Sequence, residues 1–507
     1  MTGTSSDVAF ADAYLRGVNL KDPLATYDAA VKNASVPSRN QNVGRKGLTT
    51  SLFLGFTPKS EHESVSWATE GYINDFGIGN MAAALAEDPA TPEERKAYLR
   101  EESEYYLERA KNYVNLFDPA IGFFQARNAD GTFDLSPEKY DPTVWFGPYT
   151  ETNGWNFAYH APQDPQGLVN LYGGKDKLEA KLDEFFTTPE TSLGPIHEEV
   201  EARDGRFGQW GVSNQVSHHV PYIYNAAGAP GKAQKIVREA LQRSFSGSEI
   251  GQGYPGDEDN GEMSAWYIFN SLGLYPMQVG TDQLVVGSPL FDKATVHLEN
   301  GKSLVITAEN NSPQNVYVQS LTVNGEPHTS LTINSDLFTT GGTMTFQMGA
   351  EPSDWGTGAD DLLPSLTQGS EVAKPIADIT DAKEATATSA EAKHVSALID
   401  NSSETQVRFT TADPTVTLSY ESAPSAPVFY TLTAAGRGKS PSAWVLEASN
   451  DGDEWTTLDE RKDQTFEYRR ETKPFKIAEP RSFKMYRLRI TAGGEDTALS
   501  EIELLAR

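Results

Sequence analysis

The hydrophobic pattern of the chain changes near Gln283. Before that point, apolar residues recur at helical spacing in segments such as 64–85 and 231–245, and loops separate these segments. Strand-like runs do not alternate with the helices, so a parallel α/β sheet is not predicted. After that point, short β runs follow one another, and Asn324-Gly325 is a strong hairpin signal. The pattern therefore predicts a helical toroid or bundle followed by β structure.

The expected division into domains follows the same pattern. A chain of 507 residues exceeds what one hydrophobic core usually holds, so two or three domains are expected. Residues 1–280 form the predicted helical region, and residues 281–350 form a small β unit that completes it. Residues 351–374 are rich in Pro, Gly, Ser and Asp and are predicted to be a linker. Residues 375–507 return to β runs, and their length suits an independent β-sandwich.

Charge and composition exclude several classes of partner. The formal net charge of -29 argues against nucleic acid or an anionic membrane as a partner. No run of about eighteen apolar residues exists, so no membrane span is predicted. Residues 1–7 are polar and lack the apolar core of a signal peptide. The absence of cysteine excludes disulfides, thiolate metal sites and cysteine nucleophiles.

An acidic turn precedes an apolar helical pattern that begins near Met263. Four carboxylates fall within six residues of this turn: Asp257, Glu258, Asp259 and Glu262. Asp257 and Asp259 alternate, so in an extended turn both side chains would point the same way. Two carboxylates held close together gain the proton affinity that a general base needs. The alternative is a solvated turn that only caps the helix, because Asp, Asn and Ser favour N-cap positions.

Residues 5–355 contain a series of short motifs, of which the most specific is the acidic turn together with the helix start that follows it. The motifs are Glu63-Ser64-Val65-Ser66, Asn115-Leu116-Phe117-Asp118-Pro119, Tyr149-Thr150-Glu151, Trp155-Asn156, Ser217-His218-His219, Gly256 to Tyr267, Leu272-Gly273-Leu274-Tyr275-Pro276 and Gly287-Ser288-Pro289-Leu290-Phe291. Together they resemble the calcium-dependent exo-α-mannosidases of glycoside hydrolase family 92.

The resemblance implies an (α/α)6 toroid followed by a small β unit, with an N-terminal β-sandwich ahead of both. In this chain the N-terminal sandwich and the first part of the toroid would lie upstream of Met1. The chain is therefore expected to be the C-terminal portion of a longer enzyme. The expected fold is multidomain: a mainly α toroid lacking its first part, the β unit, and a C-terminal β-sandwich.

The resemblance also implies a catalytic pair. Family 92 hydrolyses terminal α-mannosides with inversion, in which one carboxylic acid protonates the leaving oxygen and a second carboxylate activates water. By motif, Glu151 corresponds to the acid, and Asp257 and Asp259 correspond to the pair that supplies the base. Trp155 lies close to Glu151 in the sequence and is expected to bind substrate. For Glu151 taken alone, a surface carboxylate on a loop is the commoner alternative.

Calcium is the cofactor that the resemblance implies. Asn214 and Gln215 stand where the family usually has Asn-Glu-Pro before Ser-His-His, so they are expected to supply oxygen ligands to Ca²⁺. Glutamine in place of glutamate keeps the oxygen and loses a charge, which would weaken metal binding or mark a different substrate preference. His197 and Glu198 would correspond to a sugar-contacting pair, and a polar pair at a helix end is an equal alternative.

The C-terminal residues resemble a coagulation factor 5/8 type C (discoidin-like) domain. The matching stretches are Ala397-Leu398-Ile399-Asp400, Arg408-Phe409, Pro441 to Gly452, Trp455, Tyr486-Arg487-Leu488-Arg489-Ile490 and Glu501-Ile502-Glu503-Leu504. The resemblance implies a β-sandwich fold, whereas ligands of such domains vary with their loops. Carbohydrate binding is the expected role beside a glycosidase, and a structural lid is the alternative.

The expected function is calcium-dependent, inverting hydrolysis of terminal α-linked mannose from N-glycans or glycans of the yeast-mannan type. The alternatives are a non-catalytic carbohydrate-binding fragment and a glycosidase that acts on mannosyl phosphate. The presence of Glu151 favours an ordinary glycoside, because a phosphate leaving group needs little protonation. An extracellular or cell-surface location is expected from the family and from the type of C-terminal domain.

Overall fold

The computed structural model describes residues 2–40, 42–246, 253–381, 384–494 and 496–507, and its first half is mainly helical. The α-helices of this half are α1 Ser6–Leu15, α2 Pro23–Ser35, α3 Leu48–Leu54, α4 Ser64–Glu87, α5 Glu93–Arg109, α6 Gly154–Phe157, α7 Pro165–Tyr172, α8 Lys175–Thr187, α9 His197–Gly205, α10 Ile223–Ala226, α11 Pro230–Ser244 and α12 Glu262–Ser271. Short 3-10 helices lie at Asn112–Leu116, Gln215–Ser217, Val220–Tyr222 and Asp259–Gly261. The predicted helical character is confirmed, and the closed toroid stays a prediction.

The long helix α4 is packed tightly between its neighbours because glycine faces both of them. A Cβ added at Gly77 would lie 3.0 Å from the Cα atom of Val8 in α1. A Cβ added at Gly79 would lie 3.1 Å from the carbonyl oxygen of Ser103 in α5. Any larger residue would push the helices apart. Among the residues described, no helix combines the length and apolar character needed to cross a membrane.

A buried ionic network joins α4 to α5. The carboxylate of Asp75 is 1% exposed and lies 2.8 Å from Arg45 Nη1 and 3.1 Å from Arg109 Nη2. One carboxylate thus supplies the counter-charge for two guanidinium groups that are themselves mostly buried. Groups buried in this way depend on one another, because removing one partner leaves an uncompensated charge in a medium of low polarity.

A β unit follows the helices, as the change of pattern near Gln283 predicts. Its strands are β3 Leu274–Tyr275, β4 Gln283–Val286, β5 Lys293–His297, β6 Ser303–Glu309, β7 Tyr317–Val323, β8 Glu326–His328, β9 Thr332–Asn334 and β10 Gly342–Gly349, with the short helix α13 Leu337–Thr340; β1 Phe117–Asp118 and β2 Phe123–Phe124 form a separate hairpin upstream. Strands β5-β6-β10-β7-β8 form one sheet, and β3-β4-β9 form another. Alternate residues of β6 and β10 are buried, so each strand turns one face to the core.

The segment 351–374, predicted to be a linker, contains no helix or strand and is fastened to the helical region. The carboxylate of Asp164 accepts hydrogen bonds from the Ser365 hydroxyl and from the backbone and hydroxyl of Thr367. Asn170 donates its side-chain amide to the carbonyl groups of Gly369 and Glu371. Trp355 and Leu363 are buried in the main hydrophobic core. The segment is therefore docked on the helical region, and residues 351–374 are called the strap below.

The C-terminal unit consists of two five-stranded sheets that share one core. Its strands are β11 Ala377–Asp378, β12 Thr386–Thr388, β13 Val407–Arg408, β14 Thr415–Ser419, β15 Pro427–Ala434, β16 Ala443–Ser449, β17 Thr456–Arg461, β18 Thr472–Lys476, β19 Met485–Ala492 and β20 Ala498–Ala506. One sheet has the order β11-β20-β15-β18, with β13 on β20, and the other has the order β12-β14-β19-β16-β17. Trp444 of β16 and Tyr430 of β15 are fully buried between the sheets, where Trp444 Nε1 donates to Tyr430 Oη at 2.7 Å.

The C-terminal unit rests directly on α5. Phe429 of β15 meets Tyr105 of α5 edge to face, with ring centroids 5.8 Å apart. Around this apolar contact, Arg461 Nη1 lies 3.0 Å from Glu101 Oε2, and the backbone amide of Ser403 donates to a carbonyl of α3. Apolar burial and charge pairing therefore act on the same interface.

Candidate active site

A pocket of about 490 Å³ gathers polar side chains from four separate parts of the helical region. Its volume falls within the range of small-molecule sites. The polar side chains that bear on function are Glu70, Thr150, Glu151, His160, Asn214, Gln215, Asp259 and Glu262. They come from α4, from the loops on either side of α6, from the segment around residue 215 and from the turn that leads into α12.

Glu151, the predicted acid, stands at the rim of this pocket in a constrained backbone. Its φ of 54° is in the left-handed region, which residues other than glycine seldom occupy. The Asn214 side-chain amide donates to the carbonyl oxygen of Glu151 at 3.1 Å. The preceding amide, that of Thr150, donates to Ser66 Oγ at 2.9 Å. Bonds on both sides thus hold a conformation that costs free energy, as is common at functional sites.

Asp259 lines the same pocket as Glu151, although the two are far apart in sequence. Its φ of 53° also lies in the left-handed region. The side-chain amide of Gln215 donates to Asp259 Oδ2. A donor on a carboxylate fixes its direction, which is one requirement for a base. The structure therefore brings Glu151, Asn214, Gln215 and Asp259 together in one pocket, and their roles stay predictions.

Asp257 does not share this position, contrary to the expectation that alternate residues point the same way. It is outside the pocket lining, and its carboxylate lies 4.0 Å from His197 Nδ1. The turn is not extended, because the chain enters a 3-10 helix at Asp259 with positive φ. His197, Glu201 and Asp257, here named the His197 cluster, offer ligand atoms within 4.8 Å of one another. Partial burial raises the pKa of Glu201 above its usual range.

Glu258 is the residue that caps the following helix. Its carboxylate accepts from the Gly261 amide at 2.7 Å and from the Ser264 hydroxyl at 2.8 Å. These hydrogen bonds, with that from Ser264 first, lower the pKa of Glu258. The turn also packs closely against Ser213, since a Cβ added at Gly256 would lie 2.5 Å from Ser213 Cβ. Glu258 thus caps the helix, whereas Asp259 lines the pocket, so the two interpretations of the acidic turn apply to different residues.

Glu262 reaches the pocket from the first turn of α12 and is oriented by a buried histidine. His218 Nδ1 lies 2.6 Å from Glu262 Oε1, and His218 Nε2 lies 2.8 Å from the carbonyl oxygen of Val212. Both ring nitrogens therefore face acceptors. The neighbouring His219 has a different environment: its Nε2 lies 2.9 Å from the Tyr159 carbonyl oxygen, and burial lowers its pKa to about 3. The two histidines do not share one partner.

Sequence reasoning missed part of the pocket wall. Glu70 Oε1 lies 2.8 Å from His160 Nε2, and both residues line the pocket. The Thr150 hydroxyl and His160 Nδ1 are buried and have no hydrogen-bond partner among the described residues. Buried polar atoms are nearly always paired, so these two mark places where a hydroxylated ligand or water belongs. A glutamate within the long and mostly buried helix α4 was the available signal for Glu70.

Three other predicted residues lie elsewhere. Trp155 is 4% exposed and packs in the core against Phe123, with ring centroids 4.8 Å apart. His197 and Glu198 begin α9, where His197 Nε2 lies 3.3 Å from Glu198 Oε1. None of the three belongs to the pocket lining. Their predicted roles in substrate binding stay predictions, and the position of Trp155 gives that role no support.

The metal-ligand atoms that the pocket offers suit a calcium ion better than those of the His197 cluster. The amide nitrogens of Asn214 and Gln215 serve as donors, so their amide oxygens are available to a metal. Together with the carboxylates of Asp259 and Glu262 they form a set of oxygen ligands, which Ca²⁺ prefers. The His197 cluster includes an imidazole nitrogen, a donor more typical of transition metals.

Comparison with known proteins shows which family the chain is similar to. The model of the glycosyl hydrolase family 92 catalytic domain matches residues 1–350. An uncharacterized secreted glycosidase of Arthroderma benhamiae is 28% identical over 403 residues, which are 73% of this chain and 48% of that protein. A family GH92 α-mannosidase from Bacteroides thetaiotaomicron, solved in complex with mannoimidazole, is 29% identical, with a TM-score of 0.65 over 74% of this chain and 47% of that chain.

A second solved relative is a family GH92 inverting mannosidase from Bacteroides thetaiotaomicron VPI-5482. It is 30% identical, with a TM-score of 0.62 over 73% of this chain and 49% of that chain. The chain thus spans about half the length of the relatives it matches.

Proposed function

Because the chain belongs to glycosyl hydrolase family 92, we propose that it hydrolyses terminal α-linked mannose by a calcium-dependent, inverting mechanism, alone or as part of a longer polypeptide. The observation that carries the proposal is the meeting of Glu151 and Asp259 in one pocket. Inverting hydrolysis needs two carboxyl groups on opposite faces of the sugar, with room for a water molecule between one of them and the anomeric carbon. The relatives that are named as mannosidases supply the choice of sugar.

In this mechanism Glu151 protonates the glycosidic oxygen as the bond to the anomeric carbon breaks. Asp259 accepts a proton from the water that attacks the opposite face of the ring. The amide of Gln215 holds Asp259 in place, and Asn214 holds the backbone of Glu151. Both contacts position the reacting groups before substrate arrives, and such positioning is a large part of catalysis.

Asn214, Gln215, Asp259 and Glu262 are the residues that would hold calcium. When bound, the ion would polarise and orient hydroxyl groups of the mannose. Of the chain's own groups, the Thr150 hydroxyl and His160 Nδ1, which have no partner among the described residues, are placed to bind further hydroxyl groups of the sugar. A pocket that satisfies these atoms only when sugar is present selects a hydroxylated ligand over an apolar one.

Hydrolysis of aryl and alkyl α-mannosides tests the proposal. A chelator should abolish hydrolysis, and calcium should restore it. The Glu151→Gln variant should lose about 10²–10⁴-fold on an alkyl mannoside and much less on a dinitrophenyl mannoside, whose leaving group needs no protonation. Glu138→Gln, an exposed carboxylate of the same loop, is the matched control and should keep full activity. Equal losses of Glu151→Gln on both substrates would contradict the acid role.

Release of β-mannose, followed by NMR before mutarotation, would demonstrate inversion. If this chain has no activity while a version extended upstream is active, the site needs residues outside the chain. Binding of mannose without turnover in both forms would favour the alternative of a carbohydrate-binding protein.

For the C-terminal unit we propose carbohydrate binding, which its discoidin-like motifs support, with a structural lid as the alternative. An extracellular location is part of the same proposal, and the relative from Arthroderma benhamiae is described as secreted. Retention of the full chain on immobilised mannan, with the catalytic pocket disabled by Asp259→Asn, would test the binding role. Loss of retention would leave the lid as the better interpretation.

A further inference from the structure

A second cleft, of about 500 Å³, lies between the helical region and the C-terminal unit, and its charge is opposite to that of the whole protein. It shares no lining residue with the pocket of Glu151. Its cationic side chains are those of Arg39, Arg45, Lys46, Arg469 and Arg470. Two carboxylates, Glu61 and Glu404, also line it. Five cations around one cleft are unexpected in a chain with a formal net charge of -29.

Most of these cations lack a counter-charge in the part of the chain that the structure describes. Among the described residues, Arg470 pairs with Glu404 at 3.5 Å, and Arg45 pairs with the buried Asp75 at 2.8 Å. Arg39, Lys46 and Arg469 form no ion pair with any described residue. The cleft thus presents positive charge that the fold itself does not neutralise.

Two of the cations are buried as well as unsatisfied. Among the described residues, Lys46 Nζ has no hydrogen-bond partner; the atom has no appreciable contact with solvent and lies 5.7 Å from the ring centroid of Trp67. Arg45 is 7% exposed, and its Nε and Nη2 atoms likewise find no acceptor in the described part of the chain. Buried ammonium and guanidinium donors without acceptors cost free energy, and a bound anion would supply the acceptors that these two side chains lack.

The walls of the cleft are fixed relative to each other. One wall is the segment between α2 and α3, and the other consists of C-terminal loops that carry Glu404, Gly436 and the two neighbouring arginines. The Ser403 amide donates to the Thr49 carbonyl oxygen at 3.0 Å, across the boundary. Lys32 Nζ lies 4.3 Å from the ring centroid of Tyr468, beside the arginines. A ligand would therefore meet a preformed site.

We propose that this cleft binds a phosphate group, either free phosphate or a phosphate ester on a sugar. Guanidinium groups match the oxygens of a phosphate in pairs, and an ammonium group adds a point charge. The volume of the cleft exceeds that of a bare anion and accommodates a hexose phosphate. The proposal does not depend on the catalytic role of the other pocket.

Isothermal titration calorimetry of the full chain with inorganic phosphate, mannose 6-phosphate and mannose tests the proposal. Saturable binding of a phosphate probe is expected, and higher ionic strength should weaken it. The double variant Arg39→Gln/Arg469→Gln changes exposed side chains only and should weaken binding about tenfold or more. Lys46→Met should weaken it independently. Lys139→Gln/Lys235→Gln removes two exposed charges outside the cleft and is the matched control.

Tighter binding of mannose 6-phosphate than of inorganic phosphate would assign the cleft to phosphorylated sugars, and equal binding would assign it to free phosphate. The proposal is overturned if neither phosphate probe binds, if the cleft variants bind both phosphate probes as tightly as the unchanged protein, or if the control variant loses as much affinity as the cleft variants.

Discussion

Replacement of Glu102 by glutamine should make the protein more stable at alkaline pH and leave its stability at acidic pH almost unchanged. Glu102 lies on α5, is 4% exposed, and accepts a hydrogen bond from Tyr27 Oη at 3.1 Å. Burial raises the pKa of this carboxyl from its ordinary value of 4.5 to about 7, against smaller opposing effects of Lys473, Tyr27 and Arg95. The folded protein therefore keeps a proton on Glu102 at pH values where the unfolded chain has lost it.

The sign and size of the effect follow from this difference. A carboxyl group whose pKa is higher in the folded state stabilises the fold least at high pH, because deprotonation then leaves a buried charge. Stability should fall as pH rises from about 4.5 to about 7 and should then level off. Since one pKa unit corresponds to about 1.4 kcal/mol, the total is about 3 kcal/mol. Glutamine has the same shape and no charge, so the variant should escape this loss.

Urea unfolding of both proteins at pH 4.5 and pH 8, followed by the far-UV circular dichroism signal of the helices, measures the difference. The Glu102→Gln variant should gain up to about 3 kcal/mol over the wild type at pH 8 and close to nothing at pH 4.5. Glu94→Gln, an exposed glutamate of the same helix, is the control and should show no pH-dependent gain. An equal gain at both pH values would refute the reasoning, because it would show that ionisation of Glu102 is not the cause.

The other predictions concern the acidic turn and the ionic network. Asp259→Asn should lower kcat for an aryl α-mannoside by about 10²–10⁴-fold, and Asp257→Asn by less than about tenfold, since only the former lines the pocket; equal losses would show that both carboxylates serve the reaction. Asp75→Asn removes the counter-charge of two buried arginines and should lower the free energy of unfolding in urea by about 3–5 kcal/mol. Gly256→Ala should lower kcat by displacing the turn, and adding Ser213→Gly should restore part of it, because the new methyl group meets the Ser213 side chain.

The sequence predicted the larger features because they depend on local pattern. The order of a helical region followed by β structure is confirmed, since each helix or strand buries the face that its own sequence makes apolar. The first strand after α12 is β3 at Leu274–Tyr275, slightly before the change of spacing near Gln283, and the domain bounds stay predictions. The resemblance of the acidic turn and of the segments around Glu151 and Ser217 to family 92 is confirmed by the match over residues 1–350.

The details of the site depended on backbone conformation, which the sequence pattern does not reveal. Asp257 and Asp259 were expected to point the same way, and positive φ at Asp259 directs them to different neighbours. Trp155 was expected to bind substrate, whereas it lies in the short helix α6 and packs in the core. Glu70 and Glu262 were assigned no role, because their positions in the pocket depend on contacts with His160 and His218 that only the folded chain creates.

The strap of residues 351–374 and the contact of Phe429 with Tyr105 have a consequence for how the two halves of the molecule meet long ligands. A module on a flexible tether searches a volume and tolerates many spacings. The C-terminal unit is instead held both by its connecting segment and by its face on α5, so its distance and orientation relative to the helical region are fixed. Any glycan that touches the C-terminal unit and the pocket of Glu151 together is thereby selected by its length and its bend.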